Sequence, residues 1–275
     1  MMLTLMVHLE LGHPNTKLLQ LAVDLAGQFN ADVMGIAACQ PLQIIYGDSY
    51  VPGDVIEQDR EDIEKEIREA EIEFRAALKN HRGNLEWRST VTLGPLARYL
   101  ADEARCADLV LTGVDRNRSV FDSSRHVDIG DLIMQLGRPA IIVPSDKVKP
   151  SLKRMLIGWK DTRESRRAAL DALPLLKKAD YVAVCEIALE GDMAAAKTHL
   201  ADVVDWLKRH GIAAKPIAAL AAADDAAQLD ALAAEQSADV VIAGAYGHSR
   251  LREWALGGVT KDLLLRAGRC SFVSH

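Results

Sequence analysis

Short apolar segments alternate along the chain with longer segments of helical periodicity. In the second half of the chain the predicted strands are Met155–Trp159, Tyr181–Glu186, Ala213–Leu220, Asp239–Gly244 and Cys270–Ser274. The predicted helices between them are Arg163–Lys178, Met193–His210, Asp225–Gln236 and Thr260–Ala267. Strands that alternate with helices are typical of βαβ units, whose right-handed crossovers place helices on both faces of a parallel sheet. The pattern therefore predicts a small doubly wound α/β domain.

The chain contains two copies of this pattern. The segment ADLVLTG at 107–113 matches ADVVIAG at 238–244, and LGRPAIIV at 136–143 matches AGRCSFV at 267–273, in both cases 131 residues later. Earlier in each copy, ADVMGIA at 31–37 matches ADYVAVC at 179–185 with a separation of 148 residues. A length of 275 residues also favours about two domains. We predict one domain at residues 1–146 and a second at residues 152–275.

The first copy carries an insertion of 17 residues within the segment QPLQIIYGDSYVPGDVIEQ. Its residues 41–58 either cover a crevice or cap a sheet edge. A long helix that runs to about Asn80 follows. Its apolar stripe is predicted to consist of Ile63, Ile67, Ala70, Phe74 and Leu78. We expect the dense acidic face of this helix to be exposed to solvent.

Composition and charge exclude several classes of protein. Hydrophobic residues make up 49% of the chain and charged residues 26%, which excludes a disordered polypeptide. Because 39 acidic residues outnumber 33 basic ones, binding to nucleic acid is not expected. No apolar run approaches the roughly 18 residues of a membrane helix, so we expect a cytoplasmic protein without a membrane partner. The four scattered cysteines are expected to be buried thiols, and the sequence assigns no metal ligands.

The strongest chemical signal follows the strand Asp239–Gly244. Glycines recur there at Gly244, Gly247, Gly257 and Gly258, and Thr260 begins the last predicted helix. Glycine allows the backbone to approach an anion closely, and a helix N-terminus presents free N–H groups to phosphate oxygens. The array therefore predicts a phosphate site. The alternative is that the glycines close tight turns and that Thr260 only caps its helix.

This array resembles the G-x2-G-x9-G-(S/T) signature of the universal stress protein family, with Gly258 in the place of Ser or Thr. Val259 and Thr260 are similar to the residues that follow the signature in nucleotide-binding members. The resemblance implies two tandem flavodoxin-like (Rossmann-like) domains, each with a five-stranded parallel sheet of order 3-2-1-4-5. It also implies binding of ATP, ADP or AMP, with or without Mg²⁺, at the carboxyl ends of strands 1 and 4.

Further contacts are assigned by the same resemblance. Asp161 takes the position of the family's strand-1 aspartate, and the backbone around Cys185 and Glu186 would meet the adenine edge. The other candidate nucleotide-binding residues are Trp159, Lys160, Ala243 and His248. Alternatives stay open for three of these positions. His248 either touches the polyphosphate or only forms the loop between the glycines. Lys160 is equally a solvated lysine, and Asp161 is equally the N-cap of the helix that starts at Arg163.

The first copy departs from the signature. Gly247 corresponds to Arg116, Gly257 to His126 and Gly258 to Val127, while Asp161 corresponds to His13. Side chains therefore replace bare backbone, and we expect the first domain to lack the nucleotide site. The basic loop 116–126 either holds a different anion or is a solvated loop with local acidic partners.

Three functions are compatible with these residues. The leading one is a stress-response protein that acts as an adenine-nucleotide-dependent switch. The second is a scaffold that binds no nucleotide and acts through protein–protein contacts. The third is a slow ATP hydrolase, although no catalytic residue and no P-loop are visible. The resemblance also implies that the final strands PAIIVP and CSFVS pair within the chain. Such an intramolecular pseudo-dimer would be a monomer or would form a homodimer.

Overall fold

The computed structural model describes residues 3–41, 53–114, 126–144, 151–222, 224–245 and 268–275. The chain divides into two compact units, Met1–Arg138 and Pro139–His275. The strands of the described residues are β1 (Thr4–His8), β2 (Asp32–Cys39), β3 (Leu85–Val91), β4 (Leu109–Val114), β5 (Ala140–Pro144), β6 (Arg154–Trp159), β7 (Tyr181–Ala188), β8 (Lys215–Leu220), β9 (Val240–Gly244) and β10 (Cys270–Ser274). The α-helices are α1 (Thr16–Phe29), α2 (Gly53–Ala77), α3 (Leu96–Glu103), α4 (Ile129–Leu136), α5 (Arg163–Asp171), α6 (Leu173–Leu176), α7 (Met193–Arg209) and α8 (Asp225–Glu235).

The first unit is built on four parallel strands in the order β3-β2-β1-β4. Its central strands are apolar and buried, which suits a sheet covered by helices on both faces. Helix α1 buries a stripe that includes Leu18, Leu21 and Leu25, and it ends at Asn30 in the left-handed conformation (φ 50°). Asparagine tolerates this conformation better than most residues, so the helix stops there.

The second unit contains the predicted order in full, as β8-β7-β6-β9-β10 with every pair parallel. Strand β5 also belongs to this unit and lies antiparallel to β10, with Phe272 opposite Ile141. The prediction that the two closing strands pair with each other is therefore confirmed, as is the α/β fold class. All five strands predicted for this unit are present, and each of their ends lies within two residues of the predicted position.

One predicted helix of the second unit is interrupted. The sequence predicts a continuous helix over Arg163–Lys178, but the structure contains α5 and then the single turn α6, separated at Ala172. Pro174 has no N–H to donate to the carbonyl four residues earlier, and its ring clashes with the preceding turn. The helix therefore restarts with Pro174 in its first turn. The predicted helix Thr260–Ala267 and most of the loop 41–58 lie outside the described residues.

The long charged helix of the first copy is present as α2. Ile63, Ala70, Phe74 and Leu78 of the predicted stripe are buried, and Ile67 is half-buried. The charged face is exposed and carries i,i+4 ion pairs such as Arg75 Nε to Glu71 Oε1 at 2.7 Å. Pairs of this kind contribute only a few tenths of a kcal/mol, so packing of the apolar stripe holds the helix in place.

Aspartates at the starts of strands hold neighbouring strands together. The Asp108 carboxylate accepts a hydrogen bond from the Thr4 N–H at 2.8 Å, which ties the start of β4 to β1. Its counterpart in the second repeat, Asp239, accepts from the Arg154 N–H at 3.0 Å and ties β9 to β6. Asp32 accepts from the Asn84 N–H at 2.8 Å beside β3. The repeated Ala-Asp pairs of the sequence thus mark the amino edge of each sheet.

Among the helices that the structure describes, none is both long and apolar enough to cross a membrane.

Gly35 in β2 lies against two aromatic rings, and its substitution tests this packing. An added Cβ would lie 2.7 Å from Trp87 Cε3 and 2.9 Å from Phe74 Cδ2. Gly35→Ala is expected to lower the free energy of unfolding by about 1–3 kcal/mol through overpacking. Gly27→Ala is the matched control, because Gly27 lies in α1 with no atom near its Cβ position. In a helix interior that change is expected to stabilise by about 0.5–1 kcal/mol. Urea unfolding measures both, and equal effects would contradict the packing argument.

Candidate functional site

The candidate site of the second unit lies where the strand order reverses. Strand β6 pairs with β7 on one side and with β9 on the other, and Gly158 is level with Ala243. In doubly wound sheets the crevice outside the carboxyl ends of such strands is the usual ligand site. Of the predicted residues, Trp159 is the last residue of β6, and Lys160 and Asp161 come directly after it. Ala243 and Gly244 are the last two residues of β9. The structure therefore brings these five residues to one edge of the sheet.

The connection from β6 to α5 is only three residues long. Thr162 is the N-cap of α5, and its side-chain oxygen accepts from the Ser165 N–H at 3.4 Å. The interpretation of Asp161 as the N-cap is therefore wrong. Asp161 is half-exposed and accepts from Arg166 Nη1 at 3.0 Å. An exposed ion pair of this kind contributes little to stability. Lys160 is exposed beside it.

Gly244 is in close contact with the first turn of α5. An added Cβ would lie 2.4 Å from the carbonyl carbon of Glu164 and 2.6 Å from the Ser165 nitrogen. Because both are backbone atoms, no side-chain movement can relieve the overlap. The first glycine of the array is thus required by strand-to-helix packing. Glu164 itself is buried, and although burial raises its pKa, hydrogen bonds from Arg163, its own backbone and Thr162 leave the pKa below the usual value.

Glu186 lies one strand away, level with Trp159 in the pairing of β6 and β7. Its carboxylate is buried, and both oxygens contact Nδ1 of His199 on α7, at 3.1 and 3.3 Å. The indole Nε1 of Trp159 is buried and has no hydrogen-bond partner among the described residues. Sequence reasoning placed Glu186 at the site through its backbone and missed His199, which no motif connects to it.

Six predicted contacts lie outside the described residues: Gly247, His248, Gly257, Gly258, Val259 and Thr260. Their roles stay predictions. Within the parts of the chain that the structure describes, no group of three His, Cys, Asp or Glu side chains has the arrangement of a metal site.

The corresponding edge of the first unit has different chemistry. His8, the last residue of β1, is buried and its Nδ1 lies 2.9 Å from Thr112 Oγ1. The buried Glu10 carboxyl group lies 4.0 Å from the position of a Cβ on Gly113, the repeat counterpart of Gly244. The expectation that this unit lacks the nucleotide site stays a prediction.

The loop that precedes α1 is longer than its counterpart in the second unit. Seven residues, 9–15, separate β1 from α1, whereas three residues, 160–162, separate β6 from α5. A fixed offset between the repeats therefore cannot pair Asp161 with His13. The His13 ring instead lies beside that of His126, with ring centroids 5.4 Å apart. Arg116 lies outside the described residues.

A pair of alanine substitutions tests the role of Gly244. Gly244→Ala is expected to lower the free energy of unfolding by about 1–3 kcal/mol, because its Cβ overlaps the backbone of α5. Gly113→Ala is the matched control in the first repeat, where the nearest atom is 4.0 Å away, and its effect is expected to be within about 0.5 kcal/mol. Urea unfolding of both variants measures the difference, and a tolerated Gly244→Ala would contradict the close contact.

The cysteines give a test of burial around the site. Burial raises the pKa of the Cys185 thiol to about 12 and that of Cys270 to about 12 as well. Cys39 is also buried, but Cys106 is exposed, so the expectation of four buried thiols is wrong at that position. At pH 8 only Cys106 should react rapidly with a thiol reagent such as Ellman's reagent, and Cys106→Ser should remove the fast phase. Rapid reaction of a second thiol would contradict the burial of the other three cysteines.

Comparison with known proteins gives the same fold. No protein-family model matches the chain, and no curated protein matches it. Among solved structures, a universal stress protein from Archaeoglobus fulgidus DSM 4304 has a TM-score of 0.76 at 15% sequence identity and covers 99% of this chain and 96% of that chain. A functionally unknown protein from Pseudomonas aeruginosa PAO1 has a TM-score of 0.63 at 13% identity and covers 98% and 92%. The chain therefore has the fold of the universal stress proteins over nearly its whole length.

Proposed function

We propose that the second unit binds an adenine nucleotide and that the protein acts in a stress response as a nucleotide-dependent switch. The observation that supports this most is the place in the fold at which the glycine array begins. The glycine array of the sequence begins at the carboxyl end of β9, beside the carboxyl end of β6, where the strand order of the unit reverses. This is the location at which doubly wound sheets bind nucleotides and other phosphate ligands.

The individual glycines contribute differently to this proposal. Gly244 is explained by its contact with α5, so it carries little information about a ligand. The proposal rests on Gly247, Gly257 and Gly258, which follow Gly244 in the sequence motif, and on Thr260 at a predicted helix start. Together these residues would present backbone N–H groups to the phosphates of ATP, ADP or AMP, with Mg²⁺ where three phosphates are present.

The first unit would act as a partner that does not bind nucleotide. Its Glu10 carboxylate lies beside Gly113, at the place that corresponds to the opening of the glycine array. The first repeat also has His126 and Val127 in the place of Gly257 and Gly258, so side chains would replace the bare backbone that a phosphate approaches. We therefore expect one nucleotide per chain.

The proposal is tested by nucleotide-dependent stabilisation of the full chain. Dialysed protein is heated with ATP, ADP or AMP, with and without Mg²⁺. Ligand at 100 times its dissociation constant should stabilise the folded protein by about 2.7 kcal/mol and raise the melting temperature. Gly247→Leu and Gly257→Leu should abolish this shift, because each adds a side chain where the phosphates would lie. Isothermal titration should give one site per chain.

Arg116→Leu, at the repeat counterpart of Gly247, is the matched control and should leave the shift unchanged. Each variant is first compared with the natural protein without nucleotide, so that loss of binding is distinguished from loss of folding. If no nucleotide raises the melting temperature at millimolar concentration, the nucleotide switch is refuted. The scaffold that acts through protein contacts then becomes the better explanation, in agreement with the replacement of a hydroxyl residue by Gly258.

A further inference from the structure

Glu186 and His199 form a buried polar pair beside the candidate site. Glu186 is only 8% exposed, and both of its carboxylate oxygens face the same imidazole nitrogen, His199 Nδ1, at 3.1 and 3.3 Å. The His199 side chain is about one-third exposed (34%). The carboxylate is thus enclosed by protein, while part of the imidazole is accessible from outside.

The pair lies on the same face of the sheet as Trp159. Gly158 faces α8, because an added Cβ there would meet Leu229, and Cys185 packs in the same cluster with Leu229. Since successive residues of a strand alternate between faces, Trp159 and Glu186 lie on the opposite face. They are level with each other, and Trp159 is the last residue of β6. The carboxylate therefore lies at the carboxyl end of the strand pair, next to the proposed nucleotide site.

The contact determines which nitrogen of His199 carries the proton. An ionised carboxylate only accepts hydrogen bonds, so Nδ1 must be the donor. In the neutral ring Nε2 is then an acceptor, held in a fixed orientation by the carboxylate behind it. Carboxylates orient histidine ligands in the same way in many functional sites.

Stability does not account for the pair. Val182 and Val184 are buried on the same face of β7, so an apolar residue at position 186 would continue the row. Burying a carboxylate costs desolvation free energy, and replacing buried polar partners by apolar side chains of similar shape is often neutral or stabilising. A buried glutamate that orients a partly exposed histidine at a ligand-binding edge is better explained by recognition.

We propose that His199, oriented by Glu186, reads the base of the bound nucleotide. The inference rests on the proposed function, and it adds a specificity-determining side chain from α7. Nε2 would accept a hydrogen bond from the 6-amino group of adenine. A purine with a 6-oxo group would place an acceptor opposite Nε2, and two facing acceptors with no proton between them disfavour binding. The second unit should therefore prefer 6-amino over 6-oxo purine nucleotides.

Titration calorimetry of the full chain with ATP and with inosine triphosphate tests this inference. The two ligands share ribose and phosphates and differ only in the base. The natural protein should bind ATP at least about tenfold more tightly, a difference of about 1.4 kcal/mol. His199→Ala should weaken ATP binding by about the same factor, leave inosine triphosphate unchanged and so remove the preference. Glu186→Gln should reduce the preference, because an amide can also donate to Nδ1 and thereby turn Nε2 into a donor.

His210→Ala is the matched control, since His210 follows the last residue of the same helix, and it should keep the full preference. Equal affinity of the natural protein for the two nucleotides would overturn the inference, and so would an equal loss for both ligands in His199→Ala. Either result leaves nucleotide binding itself intact. If neither ligand binds the natural protein, the proposed function has failed and the base-reading role fails with it.

Discussion

Both sheets depend on aspartate side chains that fix the pairing of their central strands. Asp108 and Asp239 are the same residue of the two repeats, and each accepts a hydrogen bond from the backbone N–H at the start of a central strand, Thr4 of β1 or Arg154 of β6. These bonds satisfy N–H groups that the ladder leaves unpaired. They also set which residues are level at the opposite edge of the sheet. Ligands bind in this architecture at the carboxyl ends of the strands. The alignment of those ends is therefore set by aspartate carboxylates at the amino ends of the strands.

The two units have different side chains at that edge, although their central strands pair in the same register. His8 is level with Thr112 in the first unit, whereas Gly158 is level with Ala243 in the second. Two buried polar side chains thus take the place of a glycine and an alanine. A longer loop before α1 adds the Glu10 carboxylate to the first unit's edge. The side chains at this edge thus differ between the repeats although the corresponding strands pair in the same way.

The sequence predicted the strands well, because buried parallel strands are unbroken apolar runs whose limits are easily seen. It did not predict the break at Ala172, since Pro174 stands in a leucine-rich run that otherwise has helical character. Nor did it predict the partnership of Glu186 with His199. Those residues are 13 positions apart, on a strand and a helix, and only the crossover geometry brings them together. A contact between a strand residue and a helix residue depends on how the helix is rotated about its axis and on its position over the sheet. Apolar periodicity specifies both only coarsely.

The sequence alone does not show whether a glycine serves packing or ligand binding. In the motif, Gly244 and Gly247 look alike, and both are compatible with an approaching anion. An added Cβ at Gly244 would overlap the backbone of α5, whereas an added Cβ at its counterpart Gly113 would meet its nearest atom, in Glu10, at 4.0 Å. The glycine retained in both repeats is therefore required by packing in one repeat and not in the other. The glycines of a nucleotide motif should therefore be weighed one by one, because a glycine that close packing requires carries little information about a ligand.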